Sequence, residues 1–328
     1  MQSDGARGGP RSPPHHLEAS MRIHLPAHRY LLITALLLTT TALPAQASAP
    51  PTTPTSTPDC TPGVHAAPNA TCISYGPESN LGAGTVRTYT AYRSGKTQAV
   101  GVMLDRTALQ KLPTSRGKHC FDKDNDSHIS PTTACTGGTE RPLTFAERPR
   151  KTGLKWALLN YSPYGHGPQH VYDTPHFDVH FYLQPKAQRD AIRPGPCGVL
   201  INCIDYARAT APVPPAYMPA DYEDQGRAQV AMGNHLIDPT APEWHHQGFT
   251  HTFIYGAYDG RLTFFEPMVS LAWLNTLARD EKQGGCTPVK QPTRWQRAGM
   301  HPEQYCIRYH SKRDAFSISL EQFTRNAM

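Results

Sequence analysis

The sequence predicts a mainly β protein, an antiparallel barrel or sandwich with a few short peripheral helices. Three observations carry that expectation. The 328 residues include 32 prolines and 25 glycines, and interior proline removes a hydrogen bond and clashes with the preceding helical turn. Apolar residues alternate with polar ones in several β-branched and aromatic runs, the period of a strand. Two-residue and short polar turns then join these runs into hairpins. A hydrophobic content of 38% with 9% aromatics is enough for a packed core and rules out a disordered chain.

The first hairpin is Thr85-Val-Arg-Thr-Tyr-Thr-Ala-Tyr92, turned by Ser94-Gly-Lys into Thr97-Gln-Ala-Val-Gly-Val-Met-Leu104. Leu154 to Tyr161 and His176 to Leu183 read as two further strands. Phe249 to Tyr258 and Arg261 to Val269 flank Asp259-Gly260, a strong signal for a two-residue hairpin turn. Tyr305 to His310 and Ala315 to Leu320 form the last hairpin. Short helices are expected at Thr107 to Leu112, Lys186 to Ile192 and Ser270 to Lys282.

The first 47 residues read differently. A basic start at Met21 to Arg29, an apolar stretch from Tyr30 to Leu38 and a small-residue site ending at Ala47 make a secretory signal peptide. Initiation is expected at Met21. The apolar stretch falls short of the about 20 residues that span a bilayer. Residues 48–59 are a Pro/Thr-rich linker, and residues 60–328 are expected to form one β-rich domain. The predicted location is therefore secreted, periplasmic or within the cell envelope.

All eight cysteines follow the leader. An even count in an exported chain reads as disulfides, and spacing suggests Cys60 with Cys72, Cys120 with Cys135, Cys197 with Cys203 and Cys286 with Cys306. No C-x-x-C is present for a thiolate zinc site. The formal charge is +6, of which the leader carries +2 through four arginines and two acids. Lys and Arg are scattered, with no basic run, so nucleic acid is not an expected partner.

Histidine is the unusual residue, at 17 copies. In Pro175-His-Phe-Asp-Val-His-Phe-Tyr182 a strand puts Phe177, Val179 and Phe181 on one face and His176, Asp178, His180 and Tyr182 on the other. Two imidazoles and a carboxylate suit a metal with mixed nitrogen and oxygen ligands. Positions 176 and 180 lie about 13 Å apart in a straight strand, so they cannot share one ion. At most one neighbouring pair, 176 with 178 or 178 with 180, can ligate directly, and the third residue supports it or serves a separate site.

The Asp259-Gly260 turn pairs Tyr258 with Arg261, which carries Phe253 opposite Glu266 and His251 opposite Met268. His251 and Glu266 would then be diagonal neighbours on one face. Pro267 cannot donate to a ladder, so its strand should be an edge or contain a bulge. In Met232-Gly-Asn-His-Leu-Ile-Asp238 a turn presents His235 near Asp238, and Gly165-His-Gly-Pro168 places His166 on a loop leading to His176. The metal candidates are thus His176, Asp178, His180, His235, His251 and Glu266, with His166 and Asp238 as a further site. Zinc, manganese or iron would suit such a set.

In order along the chain, Gly-His-x-Pro, Val-Tyr-x-x-Pro-His-Phe-Asp-x-His-Phe-Tyr, Met-Gly-x-His-x-x-Asp and Thr-Phe-Ile-Tyr-Gly-x-Tyr-Asp-Gly-x-Leu-x-Phe-x-Glu-Pro-Met span Gly165 to Met268. The set resembles an exported bacterial domain family of unknown function. That resemblance implies export and implies no reaction; the leader, the linker and the other cysteine-rich stretches lie outside it.

Asp122, Asp124 and Asp126 occupy positions 1, 3 and 5 of a calcium-type loop, with Ser127 where glycine is expected and Thr133 where an acid is expected. Calcium is a second candidate ion there. G-x-S-x-G, H-E-x-x-H and phosphate-binding glycine motifs do not occur, so the serine-hydrolase and nucleotide-dependent readings those motifs mark receive no support. Two functions remain. One is an exported metal-binding protein, with metal-assisted hydrolysis or oxidation of a small molecule. The other is a non-catalytic envelope protein, binding a ligand or itself, whose histidines form a polar network.

Overall fold

A computed structural model describes residues 71–130, 134–280 and 284–325. The expected signal peptide, the linker and Cys60 lie outside the described residues.

The chain opens with β1 (Thr71–Tyr75), β2 (Ser79–Leu81), β3 (Gly84–Arg93) and β4 (Lys96–Asp105). Ser94 and Gly95, between β3 and β4, take φ of 49° and 70°, the positive values a tight hairpin turn requires. A ribbon of β5 (His119–Cys120) and β6 (Cys135–Thr136) precedes β7 (Thr139–Leu143), β8 (Trp156–Ser162) and β9 (His176–Tyr182). Then come α1 (Lys186–Asp190), β10 (Pro194–Cys197), α2 (Cys203–Ala209), β11 (Glu223–Asp224), β12 (Asn234–Ile237), β13 (His251–Tyr258) and β14 (Arg261–Ser270). The remainder is α3 (Leu271–Arg279), β15 (Gly284–Pro288), β16 (His301–His310) and β17 (Ala315–Thr324). Ser270 starts α3 by accepting the Trp273 N–H, as an N-cap serine does. The helix expected at Thr107 to Leu112 is a single 3-10 turn, Arg106–Leu109. Among the described residues no helix is long and apolar enough to cross a membrane.

Two seven-stranded antiparallel sheets result. The first runs β1-β3-β4-β17-β16-β15 with β2 added beside β3, and the second runs β11-β12-β13-β14-β9-β8-β7. Val102, Leu104 and Ile318 of the first sheet share one core with Val179, Phe181 and Phe265 of the second. Burying each such side chain is worth roughly 1.5–3 kcal/mol. The predicted antiparallel β architecture is therefore an open sandwich; among the described residues no barrel closes. Disulfides join Cys120 to Cys135, Cys197 to Cys203 and Cys286 to Cys306. The remaining expected pair includes Cys60 and so falls outside the described residues.

One detail of the second sheet decides the site. The Asp259-Gly260 turn forms, with Tyr258 opposite Arg261 and Ala257 opposite Leu262. A bulge then follows between Gly256 and Ala257, and beyond it Gly256 pairs with Phe264 and Ile254 with Glu266. Thr263 is the extra residue. His251 consequently faces Val269, not Met268, and Phe253 faces Pro267, not Glu266. A one-residue slip turns side chains to the opposite face, so the expected diagonal contact between His251 and Glu266 does not form. Gly256 makes the bulge possible: a Cβ there would lie 2.1 Å from the Phe264 ring. Pro267 is not on an edge strand, since β14 pairs with both β13 and β9. The β9 ladder pairs Phe265 with Phe181 and Met268 with Asp178 and is interrupted between them, where proline has no N–H to give.

Gly256→Ala should therefore destabilise the protein by about 1–3 kcal/mol, the usual cost of overpacking a filled site. Urea denaturation measures it, and a midpoint equal to that of the unmodified protein would contradict the packing argument.

Candidate metal centre

Strand alternation sends Phe177, Val179 and Phe181 into the sandwich core and His176, Asp178 and His180 to the other face of the second sheet. That face is not open to water: the three residues are 0%, 3% and 1% exposed. Loops cover it through two small apolar layers. One contains Leu200, Ala228 and Val230; the other packs Tyr172, with Trp244 and Phe249, on Ile254 and Met268. Between cover and sheet lies a cavity of about 340 Å³, lined among others by Asn160, Asp178, His180, His235, Glu266 and Met268.

Two groups of potential ligands share this face. The first is His166, His176 and Asp178. His176 Nε2 lies 3.0 Å from Asp178 Oδ1, and His166 Nε2 lies 3.6 Å from Asp178 Oδ2. His166 reaches the strand because its loop doubles back: its own N–H donates to Tyr172 O. Gly165 allows the fold, with φ of 66° and a Tyr172 carbonyl where a Cβ would stand. The second group is His180, His235 and Glu266. Glu266 Oε1 lies 3.3 Å from His180 Nε2 and Oε2 lies 3.8 Å from His235 Nε2. His235 stands on β12 opposite Gly256, and its ring meets the edge of the Phe264 ring that lies over that glycine (centroids 5.4 Å apart) while reaching toward Glu266 two strands away. Within each group the ligand atoms lie within 4.8 Å of one another. Asp178 and His180 are same-face neighbours, about 6.6 Å apart along a strand, so the groups sit side by side. The spacing that keeps His176 and His180 off a common ion divides them between the two groups.

Ring orientation is set by the backbone. A carbonyl can only accept, so Nδ1 must carry the proton where it meets one. His176 Nδ1 donates to Thr174 O (2.6 Å), His166 Nδ1 to Gly167 O (2.9 Å) and His235 Nδ1 to Arg227 O (3.0 Å). Each Nε2 lone pair is thereby turned toward a carboxylate, the arrangement that backbone carbonyls impose on metal-binding histidines. Two acceptors now face each other. His176 Nε2, Asp178 Oδ1, His180 Nε2 and Glu266 Oε2 are buried without a hydrogen-bond partner, and each such atom costs about 1–3 kcal/mol.

The protons show how the chain alone meets this cost. Burial would raise the Asp178 carboxyl, but His176 and His166 override it and hold it well below the usual range. Burial would lower His166, and the Asp178 contact keeps it above its ordinary value. In the second group burial pushes His180 down to about 3 and His235 down to about 4. Burial, reinforced by the Asp178 charge, pushes Glu266 well above the carboxylate range. Without a cation, His166 thus holds its proton more tightly than a free imidazole, and Glu266 holds one more tightly than a free carboxyl.

The other candidates lie elsewhere. His251 points toward the sandwich interior, hydrogen-bonded with the Tyr305 hydroxyl at 2.8 Å and tilted on Trp273. Asp238 pairs with Lys290 at 2.7 Å rather than joining His235. In the expected calcium loop, Asp122 and Asp126 accept backbone N–H bonds from Ser127 and His128. Among the described residues the three aspartates form no ligand cluster. Cys286, Cys306 and Glu321 have metal-ligand spacing, but the two sulfurs are joined and offer no thiolate. Arg116 and Arg227 line the cavity from loops without periodicity, so no sequence signal singled them out. No protein-family model, curated protein or solved structure matches this chain, and the site is read from its own geometry.

Replacing His180 by Leu together with Glu266 by Met removes a buried polar pair and keeps its volume. In chelator this double variant should be more stable than the unmodified protein by about 1–4 kcal/mol, as for other buried pairs exchanged for apolar ones. A lower melting temperature in chelator would show that the pair supports the fold.

Proposed function

We propose that this is an exported metalloprotein, holding divalent transition ions with His166, His176 and Asp178 on one side of the cavity and His180, His235 and Glu266 on the other. The observation that carries the reading is the pair His176 Nε2 and Asp178 Oδ1. They stand 3.0 Å apart, buried and unpartnered, while the other ring nitrogen is committed to Thr174 O. At that distance the two atoms need a proton or a metal ion between them, and a third donor aimed at the same carboxylate, His166 Nε2 at 3.6 Å, favours the ion. Zinc fits the donor chemistry first, since two histidines with one carboxylate are a common three-ligand set that leaves a position open; manganese and iron accept the same donors. An ion so held polarises a carbonyl or phosphoryl oxygen and supplies a water of lowered pKa. Hydrolysis of a small molecule that fits the cavity is the reaction class that follows. The three disulfides favour an oxidising compartment, in keeping with the signal peptide read in the sequence. The motif resemblance to an exported bacterial domain family supports the same location and leaves the reaction to the site.

Metal analysis of the tag-free protein tests this. The expected content is about two equivalents of transition metal, one per three-ligand group. Asp178→Ala or Glu266→Ala should each lower it to about one. Chelation should lower the melting temperature, because an ion present at a hundred times its Kd stabilises by about 2.7 kcal/mol. Trace metal with chelator-insensitive melting would leave the histidines as a polar network only.

A further inference from the structure

The cavity has a mouth as well as a floor. Arg116 is exposed, lines the cavity, and lies 4.4 Å over the ring of Tyr164, another lining residue that is 50% exposed. Arg227 is half-buried and lines the same space. Its side chain donates to the Gln225 amide oxygen, and its backbone carbonyl holds the His235 ring. Among the described residues neither arginine has a carboxylate partner, so both positive charges border the cavity uncompensated. Two divalent ions would outweigh Asp178 and Glu266, and the arginines add to that excess. A cleft of one sign with low-dielectric walls focuses its field and draws in the opposite charge. Planar guanidinium groups match a phosphate or carboxylate in two-pronged geometry. The rest of the lining mixes polar groups such as Asn160, Ser162 and Gln229 with the apolar side chains of Leu200, Met232, Ile254 and Met268.

We propose that the cavity binds a small organic oxyanion, a phosphate or a carboxylate. Arg116, Arg227 and the metal groups would hold its charged end, and Met232, Ile254 and Met268 would receive its apolar part. This rests on the metal reading above for the floor and on the arginines alone for the mouth, so the two can fail separately.

Calorimetric titration of the zinc-loaded full chain with phenyl phosphate, benzoate and phenol tests the inference, with metal content measured on the same samples. One or both anions should bind at least tenfold more tightly than phenol, and whichever binds better identifies the oxyanion. The variant Arg116→Gln with Arg227→Gln should lose at least tenfold in that affinity while keeping its metal content and melting temperature. If that variant unfolds, Arg116→Gln alone, at the exposed position, should still show a several-fold loss. Phenol binding as tightly as both anions, or anion affinity unchanged in the variants, overturns the proposal. Protein that takes up no zinc yet binds an anion through the arginines upholds it and contradicts the metal reading instead.

Discussion

Two buried acceptors cannot face each other at hydrogen-bond distance unless something positive lies between them. That constraint organises the second sheet of this protein. His176 and Asp178 meet in this way on one strand; His180 and Glu266 stand 3.3 Å apart across the neighbouring ladder, where no carbonyl fixes the proton of the His180 ring. A backbone carbonyl sharpens the first conflict, because it takes the Nδ1 proton of His176 and leaves Nε2 to meet the carboxylate either as a lone pair or, in the imidazolium, as a second N–H. A proton can satisfy the geometry, and the chain alone uses protons. It does so by holding one carboxyl far below its ordinary range and the other far above. A pair of like groups driven apart in this way is a common mark of a functional site.

The rest of the fold keeps that conflict in place. The sandwich core anchors the inner side chains of β9 and β14, which fixes the direction of the outer ones. The covering loops bury much of the strand face, and the Cys197–Cys203 bridge ties part of that cover between β10 and α2. Arg189 and Glu140, an ion pair with both side chains nearly fully buried, close the outer face beyond Asn160. Stability is thus given up where the ligands converge, the trade seen wherever a binding site is held ready.

The sequence disclosed the strand but not the sheet around it. Period-two alternation from His176 to Tyr182 needs only local chemistry to read, and it correctly separated core phenylalanines from polar neighbours. The distance argument for His176 and His180 was equally local. The β13–β14 register was not. It turns on Phe264 lying over Gly256, a tertiary contact that neither residue announces, and one displaced residue moved His251 to the interior and Glu266 to the cavity. The contribution of His235 was legible as a turn residue, yet its true partner is Glu266 across two strands rather than the nearby Asp238. Arg116 and Arg227 were silent, because irregular loops carry no period from which a facing side can be read.

The central claim is that cations sit between these donor atoms. Anomalous difference density, recorded at the zinc absorption edge from crystals of the zinc-loaded protein, tests it most directly. The account predicts two peaks, one about 2 Å from nitrogen and oxygen atoms of His166, His176 and Asp178 and one equally close to His180, His235 and Glu266. Density absent from both groups, with the His176–Asp178 contact unchanged, would mean that a proton alone fills the gap.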